Sequence, residues 1–344
     1  MSHFTVLLTN ANSEEDIEAQ LLPFCENTEH LPESYIEFVD ETDQYKNTYE
    51  NSGVTTFTSP NGQVFNEWES LEKKSGQYMP SVFFSNSGKK PKEWMEQEEG
   101  WSKKFFSYKA QYPTFEEYCE KKLEMTPTKE GRYGYFSNPN AKWDWYVLGG
   151  RWRGFFKLFP GYVTGELGSS GVFDNTAPFD CVDWVEKQYI DFETMMESSK
   201  LEASQRYENF QRLIKVYGVP KTWEEIKQES SELEEEIRKN FWAQPIILEM
   251  QKEKLLQLFS SPEDVLEYGD GSDKVAQEYI ETHRLSVVIP FALIHQGKWH
   301  QRGEMGWFGT SKSEMTRAQW IRHAWSIIES LPPQSKLALM DCHI

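Results

Sequence analysis

The chain has 344 residues, with 55 Asp and Glu against 36 Lys and Arg, for a formal net charge of −19. At roughly 150 residues per domain this length suggests about two domains, ample to bury a core without disulfides or a structural metal. The negative field repels phosphate backbones and argues against a general nucleic-acid binder, while 15% aromatic residues, including 13 Trp, argue against a disordered acidic chain.

Mean hydropathy is −0.69, and no stretch approaches the roughly 20 apolar residues of a membrane span. The start, MSHFTVLLTNANSEED, lacks the basic and apolar segments of a signal peptide. Cys25, Cys119, Cys181 and Cys342 are scattered without CxxC spacing, which suggests neither a zinc ribbon nor a disulfide framework. A cytosolic protein with reduced thiols is expected.

His3 to Thr9 is a β-prone run, followed by turn chemistry at Asn10-Ala11-Asn12. Ser13, with Asp16 three residues on, has the spacing of an N-cap before the helix residues Ile17, Leu21 and Leu22. Tyr35 to Val39 alternates as a second strand. Asn61-Gly62, flanked by Thr55-Thr56-Phe57 and Gln63-Val64-Phe65, predicts a hairpin. Residues 69–112 are polar and read as an irregular surface excursion, and Thr114 to Leu123 reads as a short helix. Across 131–173, Gly, Asn-Pro and Gly-Gly punctuate short aromatic runs, the pattern of strands joined by tight turns.

From about Val182 to Thr282 the pattern is helical. One long stretch carries Trp184, Met195, Phe210, Leu213 and Ile214 and stops at Gly218-Val219-Pro220. A second starts at Thr222 with Glu225 at capping-box spacing, and its acidic run SSELEEEIRK reads as a solvated face. A third runs from Ile246 to Phe259. Leu285 to His295 is apolar, Gln296-Gly297-Lys298 is a turn, and Trp299 to Arg302 completes a hairpin. Trp320, Ile321, Ala324, Ile327, Ile328 and Leu331 lie on one face of a helix over Thr316 to Leu331. Pro332-Pro333 ends it before a final strand, Leu337 to Ile344. The pattern predicts an α+β fold, with one sheet built from N- and C-terminal strands and packed helices. The corresponding division is a domain of residues 1–181 and 283–344, with 182–282 as a helical insertion or subdomain.

Three clusters carry residues of chemical interest. In Asn138-Pro139-Asn140-Ala141-Lys142-Trp143-Asp144-Trp145-Tyr146, followed by Gly149-Gly150-Arg151-Trp152, a carboxylate lies between two indoles and two glycines precede an Arg. Trp143, Trp145 and Trp152 would stack on a planar ring, Asp144 would orient a donor or act in catalysis, and Arg151 would take an anion bidentately. The two glycines would bring backbone close to that ligand. The competing reading is an aromatic core in which Asp144 and Arg151 pair internally. The second cluster, Trp299 to Gly309, combines His300, Arg302, Glu304 and Trp307. His300 and Glu304 would transfer protons if they converge, and Arg302 and Trp307 would bind ligand. Its competing reading is a solvated turn. Third, His3, Asp341 and His343 would meet if the first and last strands are neighbours, with Asp341 and His343 on one face. Two His and an Asp are adequate metal ligands, but no close-spaced motif such as HExxH accompanies them, and no metal site is assigned.

The chain contains no P-loop, no GxGxxG in strand–helix context, no GxSxG elbow, no kinase set and no zinc-deaminase pattern, which speaks against Walker-type hydrolysis and Rossmann redox chemistry. The start MSHFTV, the segment NPNAKWDWYxxGGRW, the run from Ile190 to Met195, the loop RGEMGWFG and the terminal DCHI, in this order, resemble a largely uncharacterised family of bacteriophage and prophage proteins. The resemblance implies a phage or mobile-element origin and a host bacterial cytoplasm. It carries no catalytic assignment.

On these grounds the expected function is that of a phage-encoded cytosolic accessory protein. Its aromatic, Arg- and Asp-containing pocket would hold a planar anionic, nucleotide-like small molecule, with acid–base catalysis open to Asp144, His300 and Glu304 and no cofactor identified. The alternative is an acidic stoichiometric inhibitor of a host or defence protein that mimics nucleic acid, with Glu224 to Glu236 as its densest acidic run. A virion component is the least supported, since no coiled-coil, collagen-like or repeat element is present. The sequence does not fix the oligomeric state.

Overall fold

The structure is a computed structural model that describes residues 3–81, 88–170, 176–229, 234–256, 260–305, 311–313 and 315–344, with backbone only at 304–305 and 311–313. Two compact units result: residues 1–27 with 140–344, and residues 28–139. The fold is α+β, and its main sheet does join the N-terminal and C-terminal strands.

In the first unit the strands are β1 (His3–Thr9), β2 (Trp145–Leu148), β3 (Trp184–Glu186), β4 (Ala292–His295), β5 (Lys298–Gln301) and β6 (Lys336–His343). The order is β3-β6-β1-β4-β5, with β2 also paired to β6. β1 and β6 are antiparallel over seven residue pairs, from His3 opposite His343 to Thr9 opposite Leu337. β4 is parallel to β1, and the β4–β5 hairpin turns at Gln296-Gly297, both at positive φ. Strands buried on both faces read as continuous apolar runs rather than alternating ones. Val6, Leu7 and Leu8 in β1 and Ala292, Leu293 and Ile294 in β4 are accordingly all inaccessible.

Four helices frame this sheet: α1 (Glu14–Leu21), α2 (Phe192–Tyr217), α3 (Asp273–Ser286) and α4 (Arg317–Ser330). Ser13 caps α1 by accepting from the Asp16 amide, as its spacing predicts. α4 lays Trp320, Ala324 and Ile328 on Leu7, Leu293, Leu337 and Leu339. The opposite sheet face carries Phe4, whose ring lies 5.3 Å from Phe291 and 6.4 Å from Trp299. α2, α3 and the shorter helices between them enclose a second core around Tyr207, Phe210, Phe241, Ile247 and Tyr268. Met196 of α2, Leu285 of α3 and Ile321 of α4 pack together beside the sheet, sharing Phe192, Met195, Ile289 and Trp325 with the core under α4.

Three segments depart from the sequence expectation. Trp184, expected in the long helix, is in β3 opposite Ala338, and its indole N–H donates to the Ala11 carbonyl. The helix begins only at Phe192, where Asp191 caps it by accepting from the Thr194 amide. Leu285 lies in the last turn of α3 instead of opening a strand, its side chain buried against Met196 and Ile321. Residues 69–112 are not an irregular excursion. In the second unit they contribute the strand pair Leu71–Lys74 and Gln77–Pro80, the helix Pro91–Gln97 and the strand Ser102–Ser107. Leu71, Tyr78 and Trp101 share a small core there with Phe57 and Phe65 of the expected Asn61-Gly62 hairpin. A few aromatics in a polar stretch suffice to bury one face of a small sheet.

α4 starts with a capping box in which Thr316 Oγ1 accepts from the Gln319 amide and Gln319 Oε1 accepts from the Thr316 amide. Thr316→Ala removes one half of it, and a loss of about 1 kcal/mol is expected in urea unfolding, with no change in the slope of the transition.

Candidate functional site

The register of β1 on β6 brings the first and last histidines face to face. Their rings are 5.0 Å apart at 71°. The Nδ1 of His3 is 2.8 Å from Asp341 Oδ1, and the Nδ1 of His343 is 2.6 Å from Asp144 Oδ1. A carboxylate only accepts, so each ring holds its proton on Nδ1. Asp341 is almost fully buried, whereas Asp144 is about two-fifths exposed. Trp145 is half exposed, with its ring centre 6.0 Å from that of His3 and the two rings edge-on.

Two buried aspartates fix the adjoining Gly-rich loop. Asp341 Oδ2 accepts from the Arg151 amide at 2.9 Å. Asp183 accepts from the amides of Gly154, Phe155 and Gly168 at 2.8 to 2.9 Å. Burial pushes the Asp183 carboxyl up, against the pull of these three amides. Gly149 and Gly150 have φ of +75° and +55°, and a Cβ on them would lie 2.5 Å from Asp183 Oδ2 and 2.3 Å from Asp341 Oδ2. The glycines are thus needed for close approach, and the groups they approach are the protein's own carboxylates.

A second feature is a cleft of about 670 Å³ along β5. Lys142 reaches it from the segment after Asn140, Lys298, His300 and Arg302 from the hairpin, and His323 from α4. No Asp or Glu lines it among the described residues. Arg302 Nε donates to the Met315 carbonyl, and none of Lys142, Lys298 and Arg302 forms an ion pair among the described residues. His300 Nδ1 and His323 Nε2 are 3.4 Å apart. Burial, then the charges of His323, His295 and Lys298, holds His300 below the usual histidine range.

The candidates read from the sequence therefore separate. Asn140 and Lys142 of the first segment meet His300 and Arg302 of the second in the cleft, but Asp144, Trp145 and Arg151 lie at the β2–β6 edge of the sheet. Trp143 is buried, with its indole N–H on the Leu21 carbonyl and its ring edge-on to Tyr146. Trp152 packs on the α4 core. The Glu304 side chain and Trp307 fall outside the described residues, and His300 has His323 as its neighbour. Lys142, Lys298 and His323 were not singled out by sequence. Lys298 lay in a plain turn signal, and His323 follows Trp320 by three residues on an otherwise ordinary amphipathic helix. Among the described residues, no helix is long and apolar enough to cross a membrane. No family model, curated protein or solved structure matches the chain.

Asp341→Ala strands the Arg151 amide and the His3 ring inside the fold, and Gly150→Ala forces a Cβ onto the same carboxylate. Each is expected to cost about 2–4 kcal/mol in denaturant unfolding, whereas Asp144→Asn at the exposed end stays within about 1 kcal/mol of the parent.

Proposed function

We propose that this chain binds a planar anionic small molecule of nucleotide type in the β5 cleft, as a phage- or prophage-encoded protein of the bacterial cytoplasm. The observation that carries the ligand reading is the charge of the cleft. In a chain with net charge −19, Lys142, Lys298 and Arg302 line one cleft without carboxylate partners among the described residues, together with His300 and His323. Concentrating unpaired cations costs self-repulsion, which a bound anion relieves. The half-buried Trp299 beside them supplies an aromatic edge for a planar group. The volume suits a mononucleotide-sized ligand, since such sites commonly span about 300–1,000 Å³. The proposed origin rests on the five ordered motifs alone.

The His300 ring is deprotonated more readily than an ordinary histidine, because burial and neighbouring cations disfavour its charged form. An anion offsets that penalty and draws a proton onto the ring. Anion affinity should therefore rise as pH falls below the usual histidine range, where the His300 ring takes up its proton. Titration of nucleoside monophosphates, followed by tryptophan fluorescence at low salt, tests the reading. Saturable binding that weakens with added salt and drops at least about tenfold in Lys298→Glu or Arg302→Glu supports it. Absence of saturation, or binding indifferent to both reversals, defeats it.

A further inference from the structure

The paired histidines at the chain ends lie outside the cleft and play no part in the proposed anion binding. His3 and His343 are directly opposite on adjacent antiparallel strands, so the backbone ladder sets their separation rather than side-chain chance. Each ring has Nδ1 committed to a carboxylate, and neither Nε2 has a partner among the described residues. This is the usual arrangement of metal-bound histidines, whose other ring N–H donates to a carboxylate that fixes the tautomer and raises ligand basicity. Two imidazole nitrogens at about 2.1 Å from one tetrahedral ion put their ring centres about 5 Å apart, the separation found here.

We propose that His3 and His343 form a two-imidazole site for a divalent transition-metal ion of the zinc class, bound through both Nε2 atoms. Asp341 and Asp144 act as outer-shell groups. Their negative charge lies behind the rings, where it offsets the charge of the ion without binding it. Among the described residues, no set of three His, Cys, Asp or Glu is arranged around a common ion. The site needs none, because both carboxylates are spent on Nδ1 and water fills the remaining positions. Asp341 is thus not the third ligand that its place in the sequence suggests, because the Arg151 amide and the His3 ring hold its two oxygens.

The test is calorimetric titration of the full chain with zinc ion alone, at neutral pH in a non-chelating buffer. One ion per chain is expected, lost in His343→Ala and in His3→Gln, and weakened about tenfold in Asp144→Asn through its outer-shell role. His323→Ala dissolves the other close imidazole pair and should leave this binding unchanged. Asp144 is at the surface, so its variant remains decisive even where a histidine replacement disturbs the sheet. No zinc binding, binding that survives His343→Ala, or binding abolished by His323→Ala overturns the proposal.

Discussion

Pairing of the two chain ends is the constraint on which the rest depends. β6 takes β1 on one side and β2 and β3 on the other, so its residues 337–342 are buried, and two of the other strands are placed only by reference to it. Ordering so distant a pair of segments carries a large loop-closure cost. The offset comes from dense burial: Leu7, Leu8, Leu337, Ala338 and Leu339 are all inaccessible to solvent. At roughly 25 cal/mol per Å² of apolar surface removed from water, such a seam is worth many kcal/mol. The same pairing sets His3 opposite His343.

The Gly-rich loop after β2 follows from two charges that this sheet buries. Asp183 and Asp341 have little access to water, and isolated carboxylates there would be unfavourable by several kcal/mol. Backbone amides of residues 151–168 wrap around them instead, and the Gly149-Gly150 pair allows that approach. What reads in the sequence as a ligand cradle is, at its glycines, a cradle for internal anions. Its outer rim, Asp144 with Trp145, stays accessible and meets the paired histidines.

The cleft along β5 follows a different logic. Its basic side chains come from three separated stretches of chain, Lys142 from the segment after Asn140, Lys298 and Arg302 from the hairpin, and His323 from α4. α4 places His323 because its apolar face must cover Leu7 and Leu293, which leaves the flank of the helix beside β5. Charge that is diluted through the sequence is thereby concentrated at one edge of the sheet.

Sequence alone determined the local elements whose signals are local. The β1 run, the Ser13 cap, the hairpins at Asn61-Gly62 and Gln296-Gly297 and the apolar face of α4 depend on periodicity and turn chemistry within a few residues. It also supported the joining of the termini in one sheet, since only apolar strands that find partners can be buried. Tertiary structure decided what depends on long-range geometry. Trp184 became a strand residue because Ala338 and the Ala11 carbonyl were waiting for it. Trp143 and Asp144, adjacent in sequence, went to the core and to the surface because neighbouring residues there point to opposite sides. The meeting of His3 with Asp341 and His343 was legible once the terminal strands were taken as neighbours, but the contacts that form the cationic cleft join separate elements. No periodicity encodes them, because they arise only when burial of the intervening apolar surface fixes which strands are neighbours.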